Sequence, residues 1–383
     1  MLLYALKMLI GDRSKYIGII LGLSFASFII TQQSSIFVGL MTRTFGFISD
    51  TSQPNIWVMD KKVMFIDDIK PLRDTELNRV QSIEGVEWAV PLYKGLIRSR
   101  LTDGIFQTCN VIGIDGATMI GGPPRLLEGK LEDLRRPDAI IVNSVGARDK
   151  LAHDFPISQN PLRVGDRLEV NDNRAVVVGI CEVTRTFQSQ PVIYTTYDRA
   201  SSWAPQERKL LSFVLAKSKA GEDPKIVCRR IEEATGLAAL TPDEFVRKTI
   251  LYFMKYTGIP INFGVAVLLG FIIGIAIAGQ TFYNFTLDNL RYFAVFKAMG
   301  AEDALLTRMI LFQSFWVGAI GWGIGVGIAC LFGLLSLKTE LSFRLPWWLY
   351  LSTAIGIGCI CAFASWISLR KIKTLDLGIV FKS

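Results

Sequence analysis

Residues 16–42 read YIGIILGLSFASFIITQQSSIFVGLMT, without a single Asp, Glu, Lys, Arg or His. A helix crosses the hydrocarbon core of a bilayer with about 20 mostly apolar residues, so this run is long enough to span. Three more charge-free runs come much later, at 256–287, 309–337 and 345–369, in a chain that is 20% charged overall. The pattern predicts a membrane protein, α-helical with four transmembrane helices, one early and three late. Between helices 1 and 2 it inserts an extracytoplasmic domain over residues 43–255, large enough for a core of its own.

Short cytoplasmic segments retain Lys and Arg, and both ends of the chain are basic. Lys7, Arg13 and Lys15 outweigh Asp12 before the first span, and Arg370, Lys371, Lys373 and Lys382 outweigh Asp376 after the last. Both termini are therefore expected in the cytoplasm. The insert then lies outside it, residues 288–308 form the sizeable cytoplasmic loop, and 338–344 form a short outer loop. The two ends carry most of the +8 net charge, while the insert is nearly neutral, so no nucleic-acid partner is implied. Residues 1–15 read as an amphipathic start on the inner leaflet, with Leu2, Leu3, Leu6, Leu9 and Ile10 apolar around Lys7. A signal peptide is disfavoured because the apolar run is too long and no small-residue cleavage site follows.

In the insert the periodicity changes to short alternating runs, which reads as α+β. Strands are predicted at 55–59, 87–97, 108–114, 139–142, 167–170, 175–183, 192–195 and 211–216. Turn residues separate them: Thr102-Asp103-Gly104, Asp115-Gly116, Val164-Gly165-Asp166 and Asn171-Asp172-Asn173. Helices are predicted at 74–83 and 224–235, the second with Ile226, Val227, Ile231 and Ala234 inward. Gly121-Gly122-Pro123-Pro124 is the expected boundary between two subdomains.

Motifs for chemistry are scarce. The sole histidine is His153, Asp67 and Asp68 are adjacent rather than opposed, and no Gly-x-Ser-x-Gly occurs. Cys109, Cys181 and Cys228 fall in the insert and Cys330, Cys359 and Cys361 in spans, with no Cys-x-x-Cys. They read as small apolar packing residues, and no metal site is expected. Phe187, Gln188 and Gln190 suggest a binding loop, since loops carry function disproportionately. Within the spans, Gly270/Gly274, Gly321/Gly325 and Gly323/Gly327 stand four residues apart, the spacing that lets membrane helices approach closely.

Residues 287–301 read LDNLRYFAVFKAMGA, a short amphipathic helix. Asp288 or Asn289 is placed to cap its start, Lys297 to complement the dipole near its end, and Gly300 to supply a left-handed stop. Tyr292, Phe293 and Phe296 would then be exposed at the membrane surface.

Lys297-Ala298-Met299-Gly300-Ala301 resembles the Lys/Arg-Ala-Leu-Gly-Ala signature of the FtsX/MacB-type permease family of ABC transporters. The one-plus-three layout agrees, as do Ile83-Glu84-Gly85-Val86 followed by Trp88, Ala89, Val90 and Pro91, then Val164-Gly165-Asp166, and the strand Val176-Val177-Val178-Gly179-Ile180. The Asp288–Phe293 segment is most similar to the DevC-like branch. Three positions depart from the pattern. Phe293-Ala294-Val295 replaces the usual Glu-Ile-Gly, Gln313 stands where a Glu is common in the third span, and the tail around Asp376 lacks the common Pro.

The resemblance implies a permease subunit of an exporter that transmits ATP-driven motion. Asp288, Arg291, Phe293, Phe296, Lys297, Ala298, Met299, Gly300 and Ala301 would form the coupling element, with Phe293, Phe296 and Met299 as apolar anchors and Arg291 and Lys297 as polar contacts. The chain has no Gly-x4-Gly-Lys-Ser/Thr, so ATP and Mg would sit on a partner ATPase and no cofactor is expected here. Further implied partners are a second copy of the chain, a periplasmic adaptor (membrane fusion protein), an outer-membrane channel and membrane lipid, in a bacterial inner membrane. An alternative is an FtsX-like signalling protein that regulates a cell-wall hydrolase. A third reading, a membrane-anchored enzyme, has no motif behind it.

Overall fold

The computed structural model describes residues 2–101, 103–153, 160–205, 211–336 and 339–373. Thr102, Lys338, Asp376 and Lys382 lie outside these residues, as do the side chains of Leu2, Leu3, Arg370, Lys371 and Lys373. In chain order, α1 (Leu2–Gly11) and α2 (Arg13–Asp50) precede β1 (Ile56–Met59), α3 (Thr75–Gln81), β2 (Val86–Arg100), β3 (Phe106–Ile114) and β4 (Arg125–Glu128). A 3₁₀ turn (Leu131–Arg135), β5 (Ala139–Asn143), α4 (Ser144–Arg148), β6 (Arg167–Val170), β7 (Asn173–Glu182), β8 (Val192–Thr196) and α5 (Tyr197–Trp203) follow. Then come β9 (Phe213–Ser218), α6 (Pro224–Thr235), β10 (Ala238–Leu240), α7 (Pro242–Tyr256), α8 (Ile259–Asp288), α9 (Leu290–Ala298), α10 (Asp303–Ser336) and α11 (Trp347–Lys373).

Two compact units result, one of Met1–Leu40 with Gly258–Ser383 and one of Met41–Thr257. In the first, α2, α8, α10 and α11 are the four helices long and apolar enough to cross a membrane, in the one-plus-three order that the charge-free runs predict. Their inward faces pack Ile19, Leu23 and Ile30 of α2 against Phe282 of α8, Val317 of α10 and Ile360 of α11. Outward faces are apolar as well: Leu268, Leu331, Leu335 and Ile355 are all exposed. Helices apolar all round are stable in hydrocarbon rather than in water. The first helix outruns its charge-free stretch. It is 38 residues long, about 57 Å at 1.5 Å per residue, and continues past residue 42, where the insert was expected to begin.

The insert is built on one mixed sheet in the order β10-β1-β9-β2-β3-β8-β5-β7-β4, with β6 pairing β2 and β7. The pairs β3–β8 and β5–β7 are parallel and the rest antiparallel. Central strands are buried on both faces. Trp57 and Met59 of β1 enter one core while Ile56 and Val58 enter another, and Ile141 and Ile140 of β5 divide in the same way. Successive strand residues point to opposite faces, so a strand covered on both sides reads as an unbroken apolar run. Trp57 anchors the first core, its ring 5.7 Å from both Phe213 and Phe245; the end of α2 adds Phe47 at 6.0 Å.

Residues 121–124 are not a subdomain boundary. Strands on either side of them pair with each other, β3 with β8 and β2 with β9, so the chain crosses this turn and returns to the same sheet. Helix α6 forms over the predicted residues, with the Asp223 side chain accepting from Lys225 N at 2.9 Å, Pro224 in the first turn, and Gly236 closing it at φ 78°. Its buried face is Val227, Cys228 and Ile231. Ile226, expected inward, is 49% exposed and Ala234 is exposed too, because the covered stripe is turned toward Cys228. Cys109, Cys181 and Cys228 are free and buried, and burial pushes each thiol up to about 12.

Candidate functional site

The helix between the second and third spans forms where the sequence places it. Its start is built differently. Asn289 closes α8 instead of capping α9, since its Nδ2 donates to Phe285 O at 2.8 Å and it makes no side-chain cap to the new helix. Asp288 is also occupied, because its carboxylate pairs with the Lys15 ammonium at the start of α2. The same ammonium lies 2.8 Å from Asp12 and, with the Lys15 backbone N–H, holds the Asp12 carboxyl below its usual range. At the far end, Gly300 adopts φ 91°. Gly300 N donates to Lys297 O at 3.1 Å and Ala301 N donates to Phe296 O at 3.0 Å, the paired bonds of a Schellman stop. Lys297 sits in the last turn, where a cation meets the negative end of the dipole.

Helix α9 has two distinct faces. Phe293, 1% exposed, packs against Ala5 of α1 and Leu306, Met309 and Ile310 of α10, with Phe296 half-buried beside them; Ala294 is buried as well. Tyr292, Val295 and Met299 face outward, Tyr292 at 60% and Met299 at 67% exposure, and Arg291 and Ala298 are exposed with them. The grouping of Phe293 with the outward anchors is therefore corrected. Positions 293 and 296 share one side of the helix, whereas 292, 295 and 299 share the adjoining outward one, and the chain spends Phe293 on its own core. Next to α9 opens a cleft of about 900 Å³ bordered by Lys7, Arg13, Asp288, Tyr292 and Phe296.

Gln313 explains itself by geometry. It is fully buried, and its Nε2 donates to the Ala5 carbonyl of α1 at 2.6 Å. An ionised glutamate there would place a second acceptor against that carbonyl; an amide supplies the donor without a charge. The glycines divide as well. A Cβ would lie 3.0 Å from Ile30 at Gly270, 2.9 Å from Ala26 at Gly274, 2.7 Å from Leu23 at Gly321 and 2.5 Å from Ser24 O at Gly325, so these four sit where helices touch. Gly323 and Gly327 meet nothing within 4 Å among the described residues. Nor do the described residues hold a group of three or more His, Cys, Asp or Glu able to bind a metal.

One span, a large α/β insert, then three spans, with a two-faced helix between the second and the third, define a protein of the polytopic membrane class. Residues 17–234 match the family described as MacB-like periplasmic core domain, and residues 256–377 match the FtsX-like permease C-terminal family. The chain belongs to the FtsX/MacB-type family of ABC transporter permeases. Among curated relatives, the uncharacterized ABC transporter permeases of Mycobacterium tuberculosis strains CDC 1551 / Oshkosh and ATCC 25618 / H37Rv are each 26% identical over 307 residues, 80% of this chain and 78% of theirs. Of solved structures, the extracellular domain of the noncanonic ABC-type transporter YknZ from Gram-positive bacteria matches at 14% identity and TM-score 0.34, over 49% of this chain and 98% of that one. The periplasmic region of MacB from Actinobacillus actinomycetemcomitans matches at 14% identity and TM-score 0.39, over 55% and 96%.

Proposed function

We propose that this ABC permease is the membrane subunit of an exporter of the DevC-like branch, taking ATP-driven motion from a separate ATPase at α9 and transmitting it to the inserted domain. The observation that supports this most is the division of α9. One face is locked to α1 and α10 through Phe293, and the other offers Tyr292, Val295 and Met299. A helix held rigidly on one side and apolar on the other is suited to receive a push, because it cannot yield against its own bundle. Met and Tyr are also residue types enriched at protein interfaces.

In this reading the bacterial inner membrane holds the four spans with both termini cytoplasmic, and ATP and Mg belong to the ATPase. The insert faces the periplasm and meets an adaptor that leads cargo to an outer-membrane channel. Two copies pair across the membrane, and the unfilled glycine positions 323 and 327 on α10 would allow a close approach. The test is purification of the tagged protein in mild detergent, with mass spectrometry of what accompanies it and an ATPase assay. An ATPase and an elongated adaptor should co-purify, and Met299→Asp should release the ATPase. Full retention of the ATPase by that variant would sink the assignment, and a cell-wall hydrolase in place of the adaptor would favour a signalling role.

A further inference from the structure

The insert contains a cleft of about 330 Å³ that the coupling reading does not use. Its walls are aromatic and come from three distant stretches of sequence. Phe65, after β1, stacks on Tyr252 of α7 with ring centres 4.5 Å apart, and Phe187, between β7 and β8, packs on Phe253 at 5.2 Å. The Phe187 loop is held in shape by its own bonds. Gln190 N donates to Thr186 Oγ1 at 2.9 Å, and Gln190 Nε2 donates to Gln188 Oε1 at 3.0 Å.

Polar groups converge at one place in this apolar setting. Lys94 of β2 is 3% exposed and its ammonium is paired with the Asp67 carboxylate. Asn110 of β3, diagonal to it on the neighbouring strand, is also 3% exposed, and its Oδ1 has no hydrogen-bond partner. Buried side-chain acceptors are nearly always satisfied, and an orphan calls for an explanation. Beyond these residues lies a second, smaller cavity of about 20 Å³, which shares Asp67, Lys94 and Asn110 with the larger one. That is room for one water-sized group.

We infer that this double cavity is a binding site for small aromatic amphiphiles, with the apolar body between Phe65, Phe187 and Phe253 and a single hydroxyl or amino group donating to Asn110. The larger chamber lies at the small end of ligand sites, which run from about 300 to 1,000 Å³, and the smaller one admits a one-atom head and no more. The charges select the head. An anionic head would face Asp50 and Asp67, and a cationic one would face Arg43, Lys94 and Arg185, so a head of either charge meets its own sign; the orphan acceptor is left to an uncharged donor. The site rests on the geometry of the insert alone, independently of how α9 is used.

The test uses the full-length chain in phosphatidylcholine nanodiscs, photolabelled with 4-aminobenzophenone or with 4-methylbenzophenone, which lacks the donor, and mapped by mass spectrometry. The amino probe should give saturable adducts on peptides carrying Phe187 or Tyr252, at least tenfold above the methyl probe. Asn110→Leu should reduce it to the methyl level, and Phe187→Ala should weaken both. The comparison of two probes on the unmodified chain does not depend on any variant folding. Equal labelling by the two probes, or adducts that do not saturate and fall only on α8, α10 and α11, would overturn the site. ATPase co-purification should be unaffected by Phe187→Ala, which separates this inference from the coupling proposal.

Discussion

Replacing Phe293 by alanine tests whether α9 is held by its own bundle. The ring is 1% exposed among Ala5, Leu306, Met309 and Ile310, and truncating a core phenylalanine costs about 3–5 kcal/mol. Phe296 adds a half-buried ring to the same cluster. Of its nine residues only Phe293 and Ala294 are fully buried, so the loss falls on the docking of this one element and not on the spans. At 1.4 kcal/mol per tenfold, the docked state should lose a factor of about 140 to 3,700 relative to the undocked one. Amide hydrogen exchange of residues 290–299 in detergent reads this directly, because local opening governs protection. Protection there should collapse in Phe293→Ala while α8 and α11 keep theirs. Met299→Ala, at a 67% exposed position, should leave protection within about threefold, since surface truncations stay within roughly ±0.5 kcal/mol. Unchanged protection in Phe293→Ala, or equal loss in both variants, would refute the two-faced description of α9.

Gln313→Met should lower thermal stability in detergent by the equivalent of about 1–3 kcal/mol, because the Ala5 carbonyl loses its donor; an unchanged melt would remove Gln313 from the contact. Gly321→Val should cost about 1–3 kcal/mol by overpacking against Leu23, 2.7 Å from the new Cβ, whereas Gly323→Val should be neutral in the monomer. Thr241→Ala breaks the capping box with Glu244 at the start of α7 and should cost about 1 kcal/mol in chemical denaturation. Cys109 has an ordinary value of 9.0 and is raised to about 12 by burial. Its thiol therefore ionises first in the unfolded chain, and stability should be complete below pH 9 and fall as pH climbs toward 12. Cys109→Ala should make that slope shallower in a denaturation series at stepped pH, with Cys181 and Cys228 supplying the rest.

The spans and most strands are legible because their signals are local. A charge-free run is visible without knowing its neighbours, and β6 and β8 lie within a residue of their predicted limits. What escaped was short or depended on partners. β10 has three residues and β4 is largely exposed at the edge of the sheet, so neither shows a period. Helix α7 carries a signal of its own, Thr241-Pro242-Asp243-Glu244, the capping pattern with proline in the first turn, in a stretch where no element is predicted above. In the coupling segment the aromatic content was plain, yet Phe293 and Phe296 could be assigned inward only once α1 and α10 were placed beside them. Asn110 gave no signal at all, because an orphan acceptor is defined by what surrounds it.

Strand β1 finds its partners in β9 and β10, which follow it in the chain by more than 150 residues. During synthesis at about 5–20 residues per second, those partners emerge on the order of ten to thirty seconds after β1. For that interval Ile56, Trp57, Val58 and Met59, all fully buried in the finished sheet, have no strand to join. The first span is thus made well before the domain it carries can close, and a factor that shields an apolar segment beside that span would act in this window. Mutations that slow the arrival of β9 should then appear as proteolysis near residue 56 and not as loss of the finished fold.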